Sequence, residues 1–151
     1  MIISLGLDHR AAHLHDFIIE HLEALEFEVL DRGASDATPI DYPDIAKKVA
    51  KDIKTMQANF GILGCRTGIG MSIAANKFQG IRAALVHTAG DTRLAREYND
   101  ANIMCIAGEA MALDELKGML DIFFMTDFEG GRHERRLSKI VEFEFSQLGQ
   151  K

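Results

Sequence analysis

Cysteine is scarce in this sequence. Its two thiols, Cys65 and Cys105, stand 40 residues apart and form no Cys-x-x-Cys pair. His-Glu-x-x-His is missing as well, so the six histidines carry no metal-site signature. His9, His13 and His15 are close together but read as a turn and a helix face. No secretory leader is visible, which with two unpaired thiols predicts a reduced, cytoplasmic setting. Positive charge is in deficit: 17 Lys and Arg against 23 Asp and Glu leave a net charge of -6, which argues against nucleic-acid binding. No apolar run approaches the roughly 18 residues of a membrane span, so no membrane partner is expected. The glycine loops of nucleotide-binding proteins are also missing. There is no Gly-x-Gly-x-x-Gly and no Gly-Lys-Ser/Thr, and Met71 stands where a Cys-x5-Arg phosphatase loop needs arginine.

What remains is an ordinary globular composition, 47% hydrophobic and 26% charged, in 151 residues read as a single domain over 1–151. Neither repeats nor low-complexity tracts interrupt it. Strand character falls on Ile2–Leu7, Phe27–Leu30, the run from Gly61 to Cys65, Ile81–Val86 and Asn102–Ala107. Helical spacing falls between them. Leu14, Phe17, Ile18, Leu22 and Leu25 mark one face, and Ile45, Ala46, Val49, Ala50 and Ile53 mark a second. Asp41 is placed to cap that second helix and Pro43 to sit in its first turn. Further helices are expected from Ile69, over Thr92–Tyr98 and over Ala112–Met125. A last one follows Gly131, with Leu137, Ile140, Val141, Phe145 and Leu148 on one stripe. Alternating strands and helices predict a three-layer α/β/α sandwich, Rossmann-like, on a five-stranded parallel sheet of order 2-1-3-4-5.

The most informative stretch is Gly61 to Lys77, a strand running through a glycine-punctuated turn into a small-residue helix. Such turns aim several backbone N–H groups at one point and can hold a phosphate or a transient oxyanion. A thiol at that strand end, as Cys65 is, suits nucleophile or base chemistry, although a lone cysteine is more often a small buried hydrophobe. Topology favours the chemical reading. In such sheets ligands bind where the winding reverses, between strands one and three, and there Asp8-His9 meets Cys65-Arg66-Thr67. Cys105, in mid-strand, is core. Arg132, Arg135 and Arg136 crowd the start of the last helix, where cations oppose its dipole. They fit either a solvated surface paired to Glu129 and Glu134 or an anion clamp of Arg132 and Arg136, one turn apart. Tyr98-Asn99-Asp100 ends the fourth helix, where turn chemistry accounts for Asn99 and Asp100.

These motifs together resemble the type B ribose-5-phosphate isomerase family, to which the LacA and LacB sugar-phosphate isomerases also belong. The resemblance is carried by Gly6-Leu7-Asp8-His9, Asp41-Tyr42-Pro43, Cys65-Arg66-Thr67-Gly68-Ile69-Gly70, Ile73-Ala74-Ala75-Asn76-Lys77, Asn99-Asp100-Ala101-Asn102 and Glu129-Gly130-Gly131-Arg132-His133, in order along nearly the whole chain. It implies a cofactor-free, metal-free aldose–ketose isomerase acting on a sugar phosphate, a homodimer or tetramer whose active sites are shared between subunits. By the same resemblance Cys65 is the base at C2 and Thr67 assists proton movement. Asp8 and Asn99 bind sugar hydroxyls, the loop with Arg66, Gly68 and Gly70 holds the enediolate, and His9, Arg132 and Arg136 bind phosphate.

Three positions depart from the family pattern. Arg66 stands where many members have glycine, Tyr98 replaces a ring-opening histidine, and Glu109-Ala110 occupies a place where many carry arginine. Ring opening then falls to Tyr98, His87 or His9. Ribose 5-phosphate and ribulose 5-phosphate are the default pair, with a hexose 6-phosphate such as allose or galactose 6-phosphate as the alternative. A sugar-phosphate-binding relative without activity and a receiver or flavodoxin module are the readings outside that activity.

Overall fold

The computed structural model describes residues 1–148. Five strands form one parallel sheet: β1 (Ile2–Leu7), β2 (Glu28–Asp31), β3 (Phe60–Cys65), β4 (Ala83–Leu85) and β5 (Ile103–Ala107). Six helices accompany them: α1 (His15–Ala24), α2 (Tyr42–Lys54), α3 (Ile69–Ala75), α4 (Ala89–Glu97), α5 (Leu113–Met125) and α6 (Arg132–Leu148). Alternation along the strands sorts the core into two layers. Ile3, Leu5, Leu7, Ile62, Met104 and Ile106 face α1, α4 and α5, and pack on Leu14, Ile18, Ala95, Leu116 and Phe123. Leu63, Ile103, Cys105 and Cys65 face α2 and α3, and pack on Ile45, Val49, Met71 and Ala75. The expected α/β/α sandwich is therefore present.

Its strand order is 2-1-3-5-4 rather than 2-1-3-4-5. All five residues of β5 are buried, whereas β4 keeps three residues and only Ala83 is fully buried. A short, half-covered strand suits the sheet edge, and a wholly apolar one suits the interior. The exchange matters for the site. Residue Cys65 now pairs with Ala107 of β5, so the loop after β5 rather than the one after β4 lines its neighbourhood. His87, just past β4, is moved one strand outward.

Two local expectations also change. Asp41 stands at the N-cap of α2 with Pro43 in the first turn, but its side chain accepts no capping hydrogen bond. Thr88 does cap α4, accepting from the Asp91 N–H at 3.1 Å. The apolar stripe of α6 runs partly outward, with Ile140, Val141 and Phe145 exposed; the side chains of Leu148 and Ala110 lie outside the described residues.

Candidate active site

Strands β1 and β3 are neighbours, with Leu7 opposite Gly64, so Asp8 and Cys65 leave the sheet side by side. The Asp8 N–H donates to the Gly64 carbonyl at 2.9 Å and ties the two strand ends together. Both residues are 6% exposed. Asp8 Oδ1 accepts from the N–H groups of Arg10 at 2.8 Å and Ala11 at 3.3 Å, which fixes the carboxylate on its own turn. Its Oδ2 takes no protein donor. Because the Arg96 Nε is the single buried side-chain nitrogen or oxygen without a partner among the described residues, that oxygen opens to solvent. His9 is half-buried, and its Nδ1 accepts from the Ile40 N–H at 3.4 Å, which leaves Nε2 to carry the proton of the neutral ring.

Beyond Cys65 the chain turns through Gly68, whose φ of +74° opens α3. A side chain there would meet the Leu85 Cδ1 at 2.5 Å and the Ile106 carbonyl at 2.9 Å, so the turn requires glycine on both counts. Its N–H points back at the Cys65 Sγ, 3.2 Å away, and holds the sulfur in place. Thr67 is exposed; its Oγ1 accepts from Ile69 at 3.4 Å. Gly70 lies under the ring of Tyr42, whose Cε2 and Cζ sit 2.8 Å from where a Cβ would be. By contrast Cys105 is fully buried, and burial, helped by the neighbouring Cys65, pushes its thiol far above the ordinary range. Cys105 is core, as expected.

At the mouth Arg66 and Glu109 pair side chain to side chain through Nε and Oε2, while the Glu109 N–H donates to the Arg66 carbonyl at 3.3 Å. Both are more than half exposed. The hydrogen bond to Glu109 raises the Arg66 pKa, and the same bond, with the Arg66 and Arg10 charges, holds the Glu109 carboxyl below its usual value against the opposing desolvation.

The remaining sequence candidates sit elsewhere on the single chain. Helix α4 runs antiparallel to the strands, so its C-terminal end lies at the N-terminal ends of the strands, opposite the end that carries Cys65. There the Asn102 N–H meets the Arg82 carbonyl at the entry to β4 and β5. Tyr98 stacks on His133 with centroids 4.2 Å apart and planes 8° from parallel. His133 is 3% exposed, 3.5 Å from the Glu129 carboxylate and 3.3 Å from the Arg132 Nε. Asn99 is exposed beside this stack. Arg132, Arg135 and Arg136 form no ion pair among the described residues; Glu129 turns to His133 instead. Thus Asp8, His9, Cys65, Arg66, Thr67, Gly68 and Gly70 come together, and Tyr98, Asn99, Arg132 and Arg136 form a second group.

Sequence reasoning did not assign a role to two neighbours of these groups, Tyr42 over Gly70 and His133 under Tyr98, and it noted Glu109 only as a departure from the family pattern, not as the partner of Arg66. Tyr42 and His133 lie inside quoted motifs, and the four-residue step from Glu129 to His133 is a pairing signal. The Glu109 pairing needed the true strand order. No group of three or more His, Cys, Asp or Glu is placed to hold a metal among the described residues. No described helix is long and apolar enough to cross a membrane.

A thiol and a carboxylate at the reversal point of a parallel sheet, over a glycine turn, define a Rossmann-like protein of the small-molecule-binding kind. The Ribose/Galactose Isomerase family model matches residues 3–140, and the chain belongs to that family. It is 37% identical over 142 residues to ribose-5-phosphate isomerase B of Escherichia coli, covering 94% of this chain and 95% of that one. Among solved structures, a ribose 5-phosphate isomerase from Thermotoga maritima superposes with a TM-score of 0.91 at 45% identity, covering 93% of this chain and 97% of that one. Ribose-5-phosphate isomerase B from Mycoplasma genitalium, solved with bound ribulose-5-phosphate, gives 0.90 at 38% identity, with 95% and 96% covered.

Proposed function

We propose that this chain interconverts ribose 5-phosphate and ribulose 5-phosphate by proton transfer through a cis-enediolate. The observation that carries the reading is the juxtaposition of Cys65 and Asp8 just past the paired ends of β1 and β3, each 6% exposed, beside the Gly68 turn. The Cys65 thiolate takes the proton from C2 of the open-chain aldose, and the electron pair moves to O1 as the enediolate forms. The thiol then returns the proton to C1, giving the ketose. The unpaired Asp8 oxygen binds a sugar hydroxyl, and Thr67 relays the hydroxyl proton between O1 and O2. Main-chain N–H groups of the Arg66–Gly70 turn hold the enediolate oxygen, an effect often amounting to ~2.7–4 kcal/mol per donor. No cofactor enters this balance.

The second group of residues joins the first only from another copy. The exposed Ile69 (51%) and Ile73 (58%) on α3 flank the Cys65 turn and mark an apolar surface to be covered. A two-fold dimer closing there brings Tyr98, Asn99, Arg132 and Arg136 of one copy to Cys65 of the other. Tyr98 then donates to the ring oxygen during opening, and His9, Arg132 and Arg136 hold the phosphate. His87, displaced to the edge strand, is dropped as a ring-opening candidate. A hexose 6-phosphate is the second reading, favoured by the Arg66–Glu109 pair at the mouth, which departs from the family pattern at both positions.

The test is solvent proton exchange at C2, followed by NMR in deuterated buffer across pentose and hexose phosphates. Cys65→Ala should abolish exchange while ligand affinity stays within about tenfold, or ~1.4 kcal/mol. Near-normal exchange in that variant would reassign the base. Inactivity of the wild type on every aldose phosphate would reject the class.

A further inference from the structure

Tyr98 and Asn99 lead into a turn gripped by two arginines. Arg96, from the last turn of α4, is 7% exposed. Its Cζ lies 4.8 Å from the ring centre of Phe60 and 5.6 Å from that of Phe123. Nη1 donates to Asp100 Oδ1 at 2.9 Å and to the Ala101 carbonyl at 2.7 Å. Nε is buried with no partner. From the other side Arg82 donates through Nη2 to Asp100 Oδ2 at 2.7 Å and through Nε to the Asp100 carbonyl at 2.8 Å. Between them Asp100 is held at a φ of +43°, a left-handed conformation that a non-glycine residue adopts at a cost.

This is a poor arrangement for stability alone. A buried guanidinium loses its hydration, and here one of its donors goes unsatisfied. Its carboxylate partner is 34% exposed and already has a second arginine. What Arg96 supplies is a fixed shape: it reverses the chain immediately after Asn99 and pins the last turn of α4. On the other flank Tyr98 is clamped by its stack on His133 and by its N–H donating to the Leu94 carbonyl at 3.0 Å.

We propose that Arg96 is a positioning residue for the reaction, acting through Asp100 to aim Tyr98 and Asn99 at the substrate. The inference rests on the isomerase reading above, with Tyr98 and Asn99 in the site.

The experiment compares Arg96→Met with the milder Asp100→Asn, which keeps a residue tolerant of left-handed backbone, in the full chain. Each is also placed in a Tyr98→Phe, Asn99→Ala background. In the wild-type background kcat for ribose 5-phosphate should fall ~10–100-fold for Arg96→Met, and less for Asp100→Asn, the typical effect of misplacing a reacting group. The unfolding midpoint should drop by less than ~8 °C. In the Tyr98→Phe, Asn99→Ala background the same changes should cost less than about threefold, because the residues they act through are already altered. Equal losses in both backgrounds, or unchanged kcat in the first, would overturn the proposal. A wild type that exchanges no C2 proton would overturn the isomerase reading itself, and the positioning role with it.

Discussion

Replacing Gly68 by alanine perturbs the turn that carries the proposed chemistry by one methyl group. Two costs add. The backbone there has φ +74°, where a side chain collides with its own carbonyl at ~1–2 kcal/mol. The new Cβ would also stand 2.5 Å from the Leu85 Cδ1 and 2.9 Å from both the carbon and the oxygen of the Ile106 carbonyl. Leu85 can rotate away, but the Ile106 carbonyl is backbone of the interior strand β5 and can yield only by moving the sheet. Overpacking of this kind costs ~1–3 kcal/mol. The expected loss is therefore ~2–5 kcal/mol, read from urea unfolding at constant m-value. Activity should fall further than stability explains, because the Gly68 N–H that holds the Cys65 Sγ at 3.2 Å moves with the turn. Gly118→Ala is the control: it lies inside α5 with open space around it, and alanine there should stabilise by ~0.5–1 kcal/mol. A Gly68→Ala protein less than about 1 kcal/mol below wild type, with unchanged turnover, would refute the reasoning.

Three other outcomes follow from named contacts. His15 is buried with Nδ1 2.8 Å from Asp16 and Nε2 2.9 Å from Asp31. Burial lowers its pKa, but the hydrogen bonds to Asp16 and Asp31, with their charges, outweigh it and leave the pKa above the ordinary 6.5. Its contribution is thus fully present below pH 6.5 and lost as pH rises through the folded-state value. The stability gap between wild type and His15→Gln, from urea midpoints, should therefore be larger at acid pH than in alkali. Asp52 is 4% exposed and accepts from the buried Ser4 hydroxyl at 2.7 Å and from Arg32 at 2.6 and 3.0 Å. Asp52→Ala should cost ~2–4 kcal/mol in urea unfolding and leave the activity of the folded fraction intact. Finally, Arg136→Ala should weaken substrate binding. Refolding it together with Cys65→Ala copies should restore about a quarter of wild-type activity, since half the dimers then hold one complete site; no recovery in the kinetic assay would count against shared sites.

The layers and the reversal point were legible in the chain because they follow from short-range rules. Short apolar runs marked the strands, two of them closed by Gly33 and Gly108, and helical spacing of apolar residues marked most of the helices. The parallel winding then put Asp8 beside Cys65 whatever happened farther along. Glycine at 68 told of a turn with something to approach. Edge assignment was not legible in this way. The lengths of β4 and β5 differ by two residues, and only packing decides which one is covered on both flanks. That decision brought Glu109 to Arg66 and carried His87 away from the cleft.

What the sequence determined by itself is local: which residues pair with the sheet, where the chain must bend, and which thiol ends a strand. What only tertiary structure decided is which distant groups share a space. Tyr98 lies at the opposite end of the strands from Cys65 because a crossover helix must run back along the strands it joins, and the start of α6 is held beside it by the His133 stack. Their stack on His133, and the grip of Arg96 and Arg82 on Asp100, arise between segments that no local pattern connects. Side-chain spacing along a chain reports the faces of single elements; the meeting of those faces is set by close packing of the whole.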